Sequence, residues 1–462
     1  MSVLTILRDK TSTIFIFLKD FFGKGHKRSL NVKKNILASF IIRILSILIS
    51  LLIVPLTINY VNPVQYGIWI TLSSIIGWLG YFDIGIGNGL RNRFAESVAL
   101  GDHKKAKVYV STTYAVVSLI ISILILLFVL LNRYLNWSQI LNAPQNMASE
   151  LGVLALIVII LFCFQLLFQL LGTVLTANQQ PAKASAFNLI ASVISLGAIF
   201  ILTKKTTGNL IYLGLALSVP PVLVLFFSSI WLYAHGYRTY APSLFHIDLR
   251  YVRSLMGLGV KFFILQIATL VLYQTSNIII AHLFGSESVT LYNIAFKYFS
   301  VVTMFMLIIM MPLWSAFTDA WARKEITWIT ATIKKLNYLW ISLSILVIFM
   351  LIVSNPVYIL WIGSDLHVPF SISVSLTIYI IINIGAYIYS IFLNGVGIIR
   401  IQLMLSVVGT IIYIPLAIIF GKIFGTPGVV FATSIVNVLN LVFFIIQYKK
   451  IINSTAIGLW SK

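Results

Sequence analysis

The sequence predicts an all-α polytopic membrane protein of about twelve transmembrane helices, arranged as two six-helix lobes, with both chain ends in the cytoplasm. Three observations carry this expectation. Hydrophobic residues make up 60% of the 462 residues and charged residues only 9%, against roughly 45–50% and 25% in soluble globular chains. Apolar runs of about 20 residues, the length that crosses a hydrocarbon core, recur along the chain. The basic residues gather at alternate ends of those runs.

The spans read as 36–60, 67–88, 108–132, 151–175, 184–203, 209–234, 255–284, 289–318, 333–354, 369–393, 398–421 and 426–448. With the N-terminus inside, segments facing the cytoplasm carry 25 Lys and Arg, and the opposite segments only 4, namely Arg133, Lys204, Lys205 and Lys422. This positive-inside asymmetry fixes the orientation. It also accounts for the net charge of +21 without invoking nucleic acid. The charge is spread over helix ends rather than clustered on a soluble domain, and a basic rim suits anionic phospholipid headgroups. The connections are short, so no soluble catalytic domain fits between the spans.

Residues 1–34 carry eight Lys and Arg and no small-residue cleavage site after an apolar stretch, so a removed signal peptide is not expected. Leu4, Leu7, Ile14, Phe17, Leu18, Phe21 and Phe22 alternate with Arg8, Lys10, Lys19 and Lys24. That pattern suits a basic amphipathic segment lying on the cytoplasmic leaflet; a disordered basic tail is the plainer alternative. Residues 35–234 form the first lobe, 235–254 a cytoplasmic linker, 255–448 the second lobe and 449–462 a cytoplasmic tail.

Two pairs of segments suggest the division into lobes. Residues 58–82 resemble 284–308, with Tyr66 opposite Tyr292, and residues 175–196 resemble 393–414. Six spans separate each pair, so the copies share one membrane orientation. Parallel repeats about an axis normal to the membrane are a transporter arrangement, with the binding site between the halves.

Charges inside spans are costly and mark function by default. Arg43 lies about 10 Å above the inner edge of the first span, at a rise of 1.5 Å per residue. Lys261 sits at similar depth in the seventh span, and Lys297 about 12 Å below the outer edge of the eighth. Asp83 lies a turn or more inside the second. Three cations and one acid leave an excess of positive charge that needs an anionic partner. A cavity between the lobes that binds a pyrophosphate or acidic sugar supplies one; snorkelling of the long side chains to the interface is the plainer account. Asp83 is read as a salt-bridge partner of Arg43 or Arg91, with an ion-coupling role as the alternative.

The stretch GWLGYFDIGIGNGLRNRFAES (77–97) is rich in glycine. Gly77, Gly80, Gly85, Gly87 and Gly89 permit close helix packing; the spacing lacks the strand that a nucleotide-binding loop requires. Arg91, Arg93 and Glu96 fall at the inner mouth, as an ion-paired inner gate or as simple positive-inside residues. Pro55, Pro220, Pro221, Pro312 and Pro415 lie within spans and remove backbone bonds there. Trp69, Trp137, Trp314 and Trp361 fall near span ends and read as interfacial anchors. The lone Cys163 excludes an intrachain disulfide and reads as a core residue. No metal-ligand spacing, Walker motif or catalytic triad is present, so no enzyme activity, cofactor or metal is expected.

The stretch YGIWITLSSIIGWLGYFDIGIGNGLRNRFAE (66–96), the LTANQQPAKAS turn (175–185) and the late stretch IIYIPLAIIFGKIFGTPGVVFATSI (411–435) resemble Wzx-type O-antigen and polysaccharide flippases. These belong to the multidrug/oligosaccharidyl-lipid/polysaccharide exporter superfamily, whose fold is MATE-like. The resemblance runs from about residue 35 to 448. It implies a V-shaped cavity, alternating access and a substrate of undecaprenyl-pyrophosphate-linked oligosaccharide moved from the cytoplasmic to the periplasmic leaflet of the bacterial inner membrane. Members often carry basic residues in the cavity, one of them in the first helix. Arg43 suits that role by position, and Lys261 and Lys297 fit the general pattern. The implied partners are the lipid-linked oligosaccharide and anionic phospholipids, with a glycan polymerase and a chain-length regulator as candidate protein partners. A multidrug or metabolite cation antiporter of the same fold is the alternative, and a membrane glycan polymerase or ligase a more distant one. An antiporter wants acids in its cavity, and the buried charge here is mainly positive. A polymerase wants a large outer loop, and the outer loops are short.

Overall fold

The structure, a computed structural model, describes residues 27–79, 86–178, 180–256 and 274–461. Among these residues every regular element is a helix. The reason is the solvent. A hydrocarbon core offers no water to exposed backbone groups, so each crossing segment satisfies them internally.

The first lobe contains α1 (Lys27–Val61), α2 (Pro63–Leu79), α3 (Ile86–Ala99), α4 (His103–Asn132), the short α5 (Trp137–Leu141), α6 (Ala148–Ala177), α7 (Pro181–Lys205) and α8 (Leu210–Ala234). The second contains a helical stretch 274–284, then α9 (Ser286–Ala322), α10 (Ile326–Ile352), the short α11 (Ser354–Ile362), α12 (Phe370–Val396), α13 (Arg400–Phe424) and α14 (Thr426–Ile452). Ten of these helices are long and apolar enough to cross a membrane. The other two expected spans are the second and the seventh. The second is built from α2, at 17 residues, and α3. The seventh falls largely on 257–273, outside the described residues. The amphipathic pattern at 4–24 also falls outside them. The first helix begins at Lys27, so residues 27–34 continue the first span into the cytoplasm as helix.

The two lobes repeat one plan. In each, the third span is followed by a short outer helix, α5 in one and α11 in the other. In each, spans one and two meet at a single residue with positive φ: Asn62 at 96° and Gly285 at 86°. Asn62 is one of the few L residues that enter this region readily. Its side chain accepts a hydrogen bond from the Gln65 backbone N–H and so caps α2. These turns set the repeat offset at 223 residues near the start of each lobe, three fewer than the Tyr66–Tyr292 pairing. The start of α7 and the start of α13 set it at 219 further along.

The linker is a packed element. Three short 3-10 turns fold it onto the cytoplasmic end of α4. The Ser243 N–H donates to Ser111 Oγ, and the Asp248 N–H donates to Thr112 Oγ1, which in turn donates to the Asp248 carbonyl. Tyr240 bonds His103 and stacks edge-on against Phe94, while Tyr251 packs edge-on against Tyr109. Hydrogen bonds from Arg250 hold the Asp248 carboxyl below the usual carboxylate range, and burial raises the Tyr237 phenol.

Two of the four tryptophans expected as interfacial anchors are core residues instead. Trp69 and Trp137 are buried, and Trp137 donates to Asn132. Trp361 is half-buried and donates to the Leu51 carbonyl. Only Trp314 is exposed. Polar ring nitrogens inside a bundle find partners there, which proximity to a span end does not reveal. What faces outward is aliphatic: Leu119, Ile123, Leu126 and Leu130 line one side of α4. Stripes of this size on a water-facing surface would drive association; here they meet acyl chains.

The orientation has a direct test. In a Cys163→Ala background, a cysteine at Gln145 is expected to react with an impermeant thiol reagent from the outer side. A cysteine at Lys104 is expected to react only after the membrane is opened. Labelling in the reverse order would invert the topology.

Candidate functional site

The site is the face between the lobes. It is sealed along its outer half. At the outermost level, Thr290 donates to the Pro63 carbonyl, and Asn142 donates to the Ala281 carbonyl. Between them α2 and α9 approach so closely that a Cβ on Gly67 would overlap the Ser286 carbonyl. Among the glycines within spans, sequence reasoning singled out the 77–89 group and missed Gly67. Of that group, Gly77 faces the Gln274 side chain and Gly89 lies against the Leu255 carbonyl. Gly80 and Gly85 lie outside the described residues.

One level deeper is a chain of buried amides. Asn293 donates to the Asn277 carbonyl oxygen at 2.9 Å, and Asn277 donates to Ser74 Oγ at 2.9 Å. All three residues are buried. Ser74 belongs to the first lobe and the two asparagines to the second, so this chain ties the lobes together. At a comparable level Trp361 reaches the Leu51 carbonyl and Lys297 reaches Ser50, its Nζ 3.5 Å from both the carbonyl and the hydroxyl. Ser50 and Lys297 each lie eleven residues from the outer ends of α1 and α9, about 17 Å along the axis. That is near the bilayer midplane and deeper than the span boundaries implied.

Arg43 lies seven residues before Ser50 on α1. Seven residues are nearly two full turns, so Arg43 shares the helix face of Ser50, about 10 Å nearer the cytoplasm. Higher on that face, Val54 and Thr57 are buried, whereas Arg43 is exposed. Arg43 is therefore exposed two turns below the level at which Ser50 meets Lys297.

The other expected site residues divide. Lys261 and Asp83 lie outside the described residues. Arg91 is exposed on α3, and Arg93 pairs with Glu96 at 2.9 Å. That pair runs along one helix at i,i+3 and joins no two elements. Such exposed pairs contribute roughly 0–1 kcal/mol. Apart from Lys297, the polar side chains that bond across the lobes at this depth, Ser50, Ser74 and Asn277, are uncharged. The signal available in the sequence was the presence of amides within apolar spans, which favours interhelical bonding.

Replacing Asn277 with Val leaves the buried Asn293 and Ser74 groups short of a partner, at a cost of about 1–3 kcal/mol to the sealed state. Gly67→Leu acts on the same seal by overlap. Spin labels at Lys205 and Glu287, on the two sides of the outer rim, are expected to show a longer distance population in either variant. An unchanged distance distribution in both would show that these contacts do not hold the outer side shut.

A family model described as polysaccharide biosynthesis protein matches residues 32–319. No curated protein matches the chain. Among solved structures, an inward-facing multidrug resistance transporter of the MATE family, in the MOP superfamily, is 14% identical with a TM-score of 0.75, covering 91% of this chain and 98% of its own. An outward-facing structure of a multidrug resistance MATE family transporter is 14% identical with a TM-score of 0.64, covering 94% and 98%. A Vibrio cholerae MATE transporter, VcmN in mutant form, is 14% identical with a TM-score of 0.64, covering 94% and 99%. At this identity the likeness concerns the fold. The family model covers well over half of the chain, which is a multi-pass membrane protein with the MATE fold and belongs to the polysaccharide biosynthesis protein family.

Proposed function

We propose that the protein is a flippase that moves a lipid-linked oligosaccharide with a pyrophosphate bridge from the cytoplasmic to the outer leaflet of the bacterial inner membrane. The reading rests chiefly on one observation: Arg43 lies two turns below Ser50 on the face of α1 that meets Lys297. A cation near the bilayer midplane is costly without an anion, and the described residues place no carboxylate within ion-pair distance of Lys297. A diphosphate carried between two leaflets answers that requirement. Arg43 is positioned to receive it at the cytoplasmic mouth, where a guanidinium binds two phosphate oxygens at once. Lys297 then offers a second positive charge about 10 Å deeper, by helix rise. The lipid tail stays among acyl chains while the glycan follows the polar gap between the lobes. The membership of the chain in a polysaccharide biosynthesis family supports the glycan part of this reading.

The cycle then follows from the seal. Substrate enters while the outer half is closed. Neutralising Arg43 and Lys297 removes the charge that disfavours closing the inner half, and the outer contacts release in exchange. The acids in the long described helices, Glu150, Glu287 and Asp319, lie within their first or last turns. Asp83, outside the described residues, keeps its two sequence readings, a salt bridge to Arg43 or Arg91 and, as the alternative, an ion-coupling site. A multidrug antiporter reading finds no such support, because a cation substrate would meet like charge at both levels. The finished lipid-linked unit would pass to a glycan polymerase and its chain-length regulator.

Arg43→Ala and Lys297→Met, each expressed at normal level, are expected to abolish surface glycan display in cells lacking their own flippase. Arg43→Lys, which keeps the charge but not the fork, is expected to retain part of it. Undiminished display with both Arg43→Ala and Lys297→Met would remove the cationic path from the mechanism.

A further inference from the structure

The linker exposes three large apolar side chains close together. Phe245 is 98% exposed, Leu244 85% and Leu249 68%. Among the described residues nothing covers them, yet the loop is not loosely held. Ser111 and Thr112 fix it at both ends of the Ser243–Asp248 segment through three hydrogen bonds to its backbone.

The height of those tethers is informative. A crossing helix needs about 20 residues; counted down from Asn132, the outer end of α4, that length ends at Thr112. The Ser111–Thr112 pair therefore marks the inner boundary of the hydrocarbon. The direction is equally informative. Leu119, Ile123, Leu126 and Leu130 follow Thr112 at intervals that return to its own face of the helix. These four are the exposed aliphatic stripe of α4. The loop is thus hung directly beneath a surface that meets acyl chains, and not beneath the gap between the lobes. Around it stand Arg238, Arg250 and Arg253 in the linker and Lys104 and Lys105 at the foot of α4, all exposed. The nearby acids are Asp248, which pairs with Arg250, and Asp102, which caps α4.

We propose that residues 243–249 are a lipid-inserted loop: Leu244, Phe245 and Leu249 enter the cytoplasmic leaflet beside α4, and the surrounding arginines and lysines bind anionic headgroups. Apolar side chains beneath a basic rim are the chemistry of an interfacial anchor, which seats them about 5–10 Å into the headgroup and acyl boundary. Basic residues near an anionic leaflet add electrostatic attraction to the headgroups. The occupant is the bilayer itself, reached at the joint between the two lobes.

The test uses the full chain in lipid nanodiscs with Cys163→Ala. An environment-sensitive fluorophore is attached at Phe245→Cys and, as a control, at Lys104→Cys. Insertion predicts blue-shifted emission from residue 245, quenching by lipids carrying a quencher on the upper acyl chain, and protection from aqueous iodide. The control is expected to be red-shifted and open to iodide. Removing the tethers with Ser111→Ala and Thr112→Val is expected to move the residue 245 emission toward that of the control. Emission at residue 245 matching the control in the intact protein would overturn the proposal. So would protection from both quenchers, which would indicate a protein surface instead of lipid.

Discussion

The rest of the structure depends on the contact between α2 and α9 at the outer half of the bundle. Two helices from different lobes touch there backbone to backbone, because Gly67 presents no side chain to the Ser286 carbonyl. In lipid, helix association gains little from apolar burial, since acyl chains are as apolar as leucine. Close packing and interhelical hydrogen bonds must supply the attraction. Both are concentrated at this contact and just below it, in the Ser74–Asn277–Asn293 chain. Below that contact Arg43 stays exposed on α1, and Lys297 meets Ser50 two turns above it.

The seal also explains how a membrane protein holds a lysine so deep. Lys297 has hydroxyl and carbonyl oxygen at 3.5 Å, long for an ammonium hydrogen bond. Among the described residues, the contacts offer partial solvation without a counter-charge. A buried carboxylate would satisfy the lysine fully and leave it nothing to offer a substrate. An incompletely satisfied cation is a stability cost, and costs of this kind are commonly retained at functional sites.

The sequence made the topology legible because span length and the charge of the connections are local properties. Both are written in runs of about twenty residues, on the scale of the bilayer itself. The charged candidates were also legible as candidates, since an Arg or Lys in an apolar run stands out without any alignment. Three features were not. The role of Gly67 depends on a carbonyl more than two hundred residues away. The amide chain uses residues whose types are unremarkable in isolation and become telling only when two helices bring them together. Trp69 and Trp137 looked like anchors because depth was read along the axis; whether a ring points to lipid or to a neighbouring helix depends on rotation about it. The linker was legible as a basic connection, but its folding onto Ser111 and Thr112 left no mark on periodicity.

The one-residue turns at Asn62 and Gly285 carry a mechanical consequence. Each joins two crossing helices with no slack, so the pair behaves as a rigid bracket and not as two independently moving rods. A displacement of α1 along its axis is therefore passed to α2 through one residue. Chain length inserted at either turn would act like play in a crank, letting one arm move without the other, and so would uncouple the two faces of the membrane while leaving every helix intact.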